Sequence, residues 1–157
     1  MKRLRLEQAR VDKLDAAILA TLAADARITL ADLARKVRLS APSVAERVKR
    51  LEESGVIRGY TVEIDPMALG LPLGFHIRIR PMPGQLAKVA ALLEKLPQIV
   101  ECDRVTGDDC FVAKAHVASI KDLEALIDQI IPYGVTNTAI IQSSPINRRL
   151  PSISAHE

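Results

Sequence analysis

The sequence predicts an α+β protein in two modules, a helical N-terminal one and a C-terminal one of order β-α-β-β-α-β. Three observations carry the prediction. Apolar residues recur every three or four positions behind good helix caps as far as Gly55. Beyond Val56 several short runs alternate with a period of two. Two further helix-period stretches, after Pro83-Gly84 and after Ser119, interrupt those runs. The expected division is 1–60 for the helical module, 61–74 for a linker strand and hinge, and 75–157 for the βαββαβ module with its tail. A chain of 157 residues suits two modest modules and can bury a core without disulfide staples. Because aromatics make up only 3%, that core must be built from Leu, Ile, Val and Ala.

The run VDKLDAAILATLAADA reads as a first helix, capped by Asp12 with Asp15 three residues on as a capping-box variant. Leu14, Ile18 and Leu22, with Leu19 beside them, are its expected inward face. Thr29 caps a second helix through Val37, with Leu30, Leu33, Ala34 and Val37 inward. Only Arg38, Leu39 and Ser40 separate it from a third. Ser40 is an N-cap, Pro42 falls in the first turn where a missing N–H costs nothing, and Gly55 is the stop. Val44, Val48 and Leu51 point inward, leaving Ala41, Ser43, Ala45, Glu46, Arg47, Lys49 and Arg50 outward.

Two short helices joined by so brief a turn form a helix-turn-helix, whose second member enters the major groove with its N-terminal residues nearest the bases. Charge agrees with this placement. Residues 1–60 carry 13 Lys/Arg against 8 Asp/Glu (net +5), whereas 61–157 carry 9 against 11 (net −2). The expected DNA-facing set is Arg38, Ser40, Ala41, Pro42, Ser43, Ala45, Glu46, Arg47, Lys49 and Arg50. Small residues at the leading end permit close approach, the basic ones suit phosphates or guanine, and Ser43 and Glu46 suit base edges. A three-helix protein-interaction bundle with a solvated basic face is the alternative.

In the second part, VIRGYTVEIDP reads as a strand and MALGLPLG as a linker. GFHIRIR alternates, with Phe75, Ile77 and Ile79 on one side and His76, Arg78 and Arg80 on the other. QLAKVAALLEKL is a helix through Leu86, Val89, Leu93 and Leu96. IVECDRV and CFVAKAHV form a hairpin around Thr106-Gly107-Asp108-Asp109. Ser119 caps a helix with Ile120, Leu123, Ile127 and Ile130 inward, and VTNTAIIQSS closes the sheet. This is the ferredoxin-like split, which leaves one sheet face bare and implies a symmetric dimer. Ser143, Ser144, Pro145 and the Arg148-Arg149 pair are expected in a solvated tail.

Over nearly its whole length the chain resembles the Lrp/AsnC, or feast/famine, family of bacterial and archaeal transcription regulators. The resemblance is carried by LDAAILATLAADARITLADLARKVRLSAPSVAERVKRLEESGVIRGYTVEIDPMALG and by RVTGDDCFVAKAHV. It implies an N-terminal winged helix-turn-helix and a C-terminal module that dimerises and binds small effectors, typically amino acids. Such dimers often assemble into tetramers or octamers, with effector sites at contacts between dimers. Carried onto matching positions, Ser40 to Leu51 becomes the DNA-reading helix, and Thr106, Gly107, Asp108, Asp109 and Cys110 become part of the effector pocket. Thr136 and Thr138 become its other wall. Asp108 or Asp109 could accept the effector's ammonium group. Cys110 stands where the family commonly has an Asp, a departure that fits a smaller, more apolar pocket or a subgroup with shifted contacts.

The residues exclude other classes. Cys102, Cys110, His76 and His116 have no metal-ligand spacing, and two cysteines make no disulfide framework. No catalytic triad, phosphate loop or dinucleotide fingerprint occurs, so neither enzyme activity nor a cofactor is expected. Met1 to Lys13 is mostly polar, and the apolar run Ala16 to Ala24 is too short to span a bilayer, so a cytoplasmic location without membrane contact is expected. The expected partners are double-stranded DNA, further copies of the chain, and a small effector. An architectural regulator without an effector, or a ligand-binding module whose helices contact proteins, are the alternatives.

Overall fold

The structure, a computed structural model, describes residues 11–146 and 150–153. The described residues divide into two compact units, one running to Val62 and the other Glu63–Pro145. The Arg148-Arg149 pair expected in a solvated tail lies outside the described residues.

In the first unit, α1 (Lys13–Ala24), α2 (Leu30–Val37) and α3 (Ala41–Glu53) each start on a side-chain cap. Asp12 accepts from the Asp15 N–H at 2.8 Å and Asp15 accepts from the Asp12 N–H at 3.2 Å, a reciprocal capping box. Ile18, Leu33, Ala34, Val37, Val44 and Leu51 form the core, with Leu19, Leu22 and Val48 packed on it. Leu14 and Leu30, expected inward, are 36% and 48% exposed. In α1 the reason is geometric. A four-residue spacing drifts about 40° around the helix, and the buried row is Asp15-Ile18-Leu22, at i, i+3 and i+7. A carboxylate occupies the place where the pattern called for leucine.

The expected strand from Val56 to Pro66 does not form. The segment runs irregularly and joins no ladder, with Tyr60, Val62 and Ile64 at 53%, 76% and 56% exposure. β-branched residues favour extended geometry, but a strand requires partners for its N–H and C=O groups. A short 3-10 turn at Met67–Leu69 then leads to Gly70, whose φ of 76° suits glycine.

The second unit holds β1 (Leu73–Pro81), α4 (Leu86–Leu93), β2 (Ile99–Arg104), β3 (Phe111–Val117), α5 (Ile120–Ile130) and β4 (Gly134–Ile140). Spatial order is β2-β3-β1-β4, antiparallel throughout. Phe75, Ile77 and Ile79 lie fully buried against Val89 and Leu93 of α4 and Leu126 and Ile130 of α5. Leu126 replaces the expected Ile120, which is half exposed, because the buried row of α5 is set by its last two turns. The last strand stops at Ile140, short of the expected Ser144. The opposite sheet face is polar, with His76, Arg78 and Arg80 on β1 and Glu101 and Asp103 on β2 exposed.

β4 begins unusually close to β1. A Cβ on Gly134 would stand 2.8 Å from the Arg80 carbonyl oxygen and 3.2 Å from the Pro81 Cα. Gly134→Ala is expected to destabilise the protein by about 1–3 kcal/mol. A lowered urea midpoint would support this, and an unchanged one would contradict the packing at that corner.

Candidate nucleic-acid interface and effector site

α3 starts at Ser40, whose hydroxyl accepts from the Ser43 N–H at 3.4 Å, with proline in the first turn. Ala41, Pro42, Glu46, Lys49 and Arg50 are exposed, and Ser43, Ala45 and Arg47 are half-buried. Ser43, Glu46, Arg47, Lys49, Arg50 and Glu53 together line one shallow polar groove along the helix. Arg38 and Ser40 stand exposed in the turn just before it.

Two of these residues differ from expectation. Arg47, assigned outward, turns inward so that its Nη1 donates to Asp12 at 2.7 Å and to Asp15 at 2.8 Å. Arg50 Nη2 donates to both oxygens of Asp15, at 2.8 and 2.7 Å. The Asp15 side chain is fully buried, while those of Arg47 and Arg50 are 22% and 57% exposed. A carboxylate removed from water needs opposite charge and hydrogen-bond donors, and two long side chains of α3 supply both. The Asp15 N–H, together with Arg47, holds the Asp12 carboxyl below its usual range. The two carboxylates raise Arg47 in turn, Asp12 most strongly. Lys49, by contrast, has only a loose contact with Glu53 at 3.7 Å, both side chains mostly exposed.

In the second unit, the β2–β3 turn closes through the Val105 N–H donating to the Cys110 carbonyl at 2.9 Å, with Gly107 at φ 106°. Arg80, at the end of β1, lies 3.4 Å from Asp108 and 3.6 Å from Asp109. Thr136 and Thr138 are not part of this cluster. They pair with Ile79 and Ile77 on the helix-covered side of the sheet, whereas Arg80 belongs to the opposite side. Strand order places β1 between them and the turn, so the two expected walls do not meet within one chain. Of the two thiols, Cys110 is half-buried beside the Asp108 carbonyl. Cys102 is exposed, its thiol raised by partial burial and then by Asp103.

Three participants escape a reading of the sequence. Asp12 and Asp15 read as capping residues, and nothing local announces partners 32 and 35 positions away. Arg80 reads as a solvated strand residue. Its signal is the antiparallel β1–β3 pairing, which brings the end of β1 to the turn that precedes β3.

Residues 11–58 match a family model described as winged helix-turn-helix DNA-binding, and residues 75–151 match one described as the Lrp/AsnC ligand binding domain. The chain is similar to the transcriptional regulator LrpC of Bacillus subtilis, with 34% identity over 134 residues covering 85% of this chain and 93% of that protein. It is 38% identical over 121 residues to LrpA of Mycobacterium tuberculosis, covering 76% and 81%. Among solved structures, B. subtilis LrpC superimposes with a TM-score of 0.83 at 34% identity, covering 87% of this chain and 98% of that one. A feast or famine regulatory protein from M. tuberculosis, complexed with L-methionine, gives 0.83 at 35% identity, covering 90% and 98%.

The ion cluster has a measurable consequence. Asp15→Asn keeps the shape but leaves two guanidinium groups facing an uncharged amide, and should cost about 2–3 kcal/mol. The check is urea denaturation followed by helical circular dichroism, and a wild-type midpoint would show that the cluster contributes nothing net.

Proposed function

The chain belongs to the Lrp/AsnC family of transcriptional regulators, and on that premise we propose that it is a non-enzymatic, DNA-binding regulator whose DNA affinity or assembly responds to a small effector, an amino acid. The observation that carries the DNA reading is the groove along α3, where Ser43, Glu46 and Lys49 converge behind a small-residue leading end. Ala41 and Ala45 permit close approach to base edges, Ser43 and Glu46 offer polar groups to them, and Lys49 reaches phosphate. Arg50 serves twice. Its Nη2 holds Asp15, and the rest of its five-donor guanidinium remains available to phosphate. Arg47 braces the helix instead of reading bases.

The proposed effector subsite is the β2–β3 turn with Arg80. At 3.4 and 3.6 Å, the Arg80 contacts with Asp108 and Asp109 are longer than tight charge-assisted hydrogen bonds. A zwitterion can enter such a loose pair without leaving either charge unmatched. Its carboxylate meets Arg80 and its ammonium meets Asp108 or Asp109, which answers the absence of a carboxylate at Cys110. Since Thr136 and Thr138 lie elsewhere in the chain, their contribution comes from a neighbouring copy, in keeping with a dimer that assembles further. Effector binding at such contacts is coupled to the spacing of paired α3 helices, and hence to affinity for half-sites about one helical turn, or a multiple of it, apart.

Lys49→Ala should weaken duplex DNA binding about three- to tenfold and lower the slope of log affinity against log salt by about one, with no change in Tm. Wild-type isotherms for the variant would sink the assignment of this helix. For the effector, a thermal-shift screen of the twenty amino acids should give at least one stabilising ligand. Arg80→Ala should abolish that shift, and a blank screen with the wild type would favour a regulator without an amino-acid effector.

A further inference from the structure

Arg38 stands out in the turn between α2 and α3. Among the described residues it is the one non-glycine residue with positive φ, at φ 57° and ψ 44°. The helix end demands this angle. The Arg38 N–H donates back to the Ala34 and Arg35 carbonyls, the latter at 3.3 Å, and the Leu39 N–H donates to the Ala34 carbonyl at 3.0 Å. That paired closure requires a left-handed residue at its centre, and it delivers the Leu39 side chain onto the helical core. An L side chain in this conformation crowds its own carbonyl, which glycine avoids. Elsewhere the same chain meets the requirement with glycine, at Gly55 after α3 and at Gly70 after the 3-10 turn.

Nothing the Arg38 side chain does within the fold offsets the strain. It is exposed and, among the described residues, forms neither an ion pair nor a side-chain hydrogen bond. Its position relative to α3 gives it another use. It lies two residues before the Ser40 cap, within roughly 7 Å of chain from the helix start. A helix that enters the major groove by its N-terminal end brings the turn leading into it against the groove wall, and that wall is phosphate. A guanidinium is well suited to phosphate because its planar fork presents parallel donors.

Resting on the reading of α3 as the DNA-facing helix, we propose that Arg38 is a phosphate-contacting residue held in a strained backbone conformation, so that it lowers the stability of the fold while raising affinity for DNA. The two effects must then separate in opposite directions. Arg38→Gly relieves the strain and removes the charge, whereas Arg38→Lys keeps both the strain and a charge.

The experiment uses the full chain and a fluorescein-labelled duplex of mixed sequence, about four helical turns long, since a phosphate contact does not depend on sequence. Arg38→Gly should raise Tm by about 2–4 °C. It should also weaken binding about three- to tenfold at low salt and make the log–log salt slope shallower by about one. Arg38→Lys should keep the wild-type Tm and slope. A raised Tm with unchanged isotherms and slope would overturn the proposal, as would a lowered Tm for Arg38→Gly. Lys49→Ala measured alongside separates the two failures. Weakened binding by Lys49→Ala with unaltered binding by Arg38→Gly removes Arg38 alone. Absence of wild-type binding removes the reading of α3 itself.

Discussion

The buried carboxylate of Asp15 determines how α3 sits in its unit. It stands in the first turn of α1, satisfied on one side by the Asp12 N–H and on the other by the guanidinium groups of Arg47 and Arg50. Hydrophobic contacts through Ile18, Val44 and Leu51 bring α1 and α3 together, but apolar packing alone tolerates small rotations of one helix on another. Charged hydrogen bonds of 2.7 to 2.8 Å do not, because any rotation strips donors from a carboxylate that has no water to replace them. The cluster thus sets which face α3 presents, and it draws the Arg47 side chain largely out of solvent.

That arrangement divides the roles along the helix. Basic residues that look alike in sequence separate into Arg47, which braces, Arg50, which braces and still projects, and Lys49, which Glu53 holds only loosely. Arg38 adds charge from the turn, where it replaces the glycine that the backbone geometry favours. Stability and surface charge are in tension at both places, and they are resolved differently. Near Asp15 the arginines give up exposure for order, whereas Arg38 gives up backbone comfort for exposure.

The sheet of the second unit organises its site by adjacency. Because β1 lies between β3 and β4, the β2–β3 turn is a neighbour of Arg80 and not of Thr136 or Thr138. The period of two along β1 was enough to divide Phe75, Ile77 and Ile79 from His76, Arg78 and Arg80. It could not indicate which charged group Arg80 would meet. Likewise the alternation from Tyr60 to Ile64 reads as a strand, yet a strand is a property of two segments, and among the described residues no second segment pairs with it.

By itself the sequence determined whatever depends on neighbours within about one helical turn or one strand pair. The caps at Asp12, Thr29, Ser40 and Ser119, the inward rows of α3 and β1, the β-hairpin and the order of elements from β1 onward all follow from local spacing and hydrogen bonding. Only the tertiary structure decided the destinations of long charged side chains. Arg47, Arg50 and Arg80 each reach several ångströms from their backbone, so their partners are set by which elements pack beside them. Those partners, Asp12 and Asp15 for one pair and Asp108 and Asp109 for the other residue, lie too far along the chain for local spacing to reveal them.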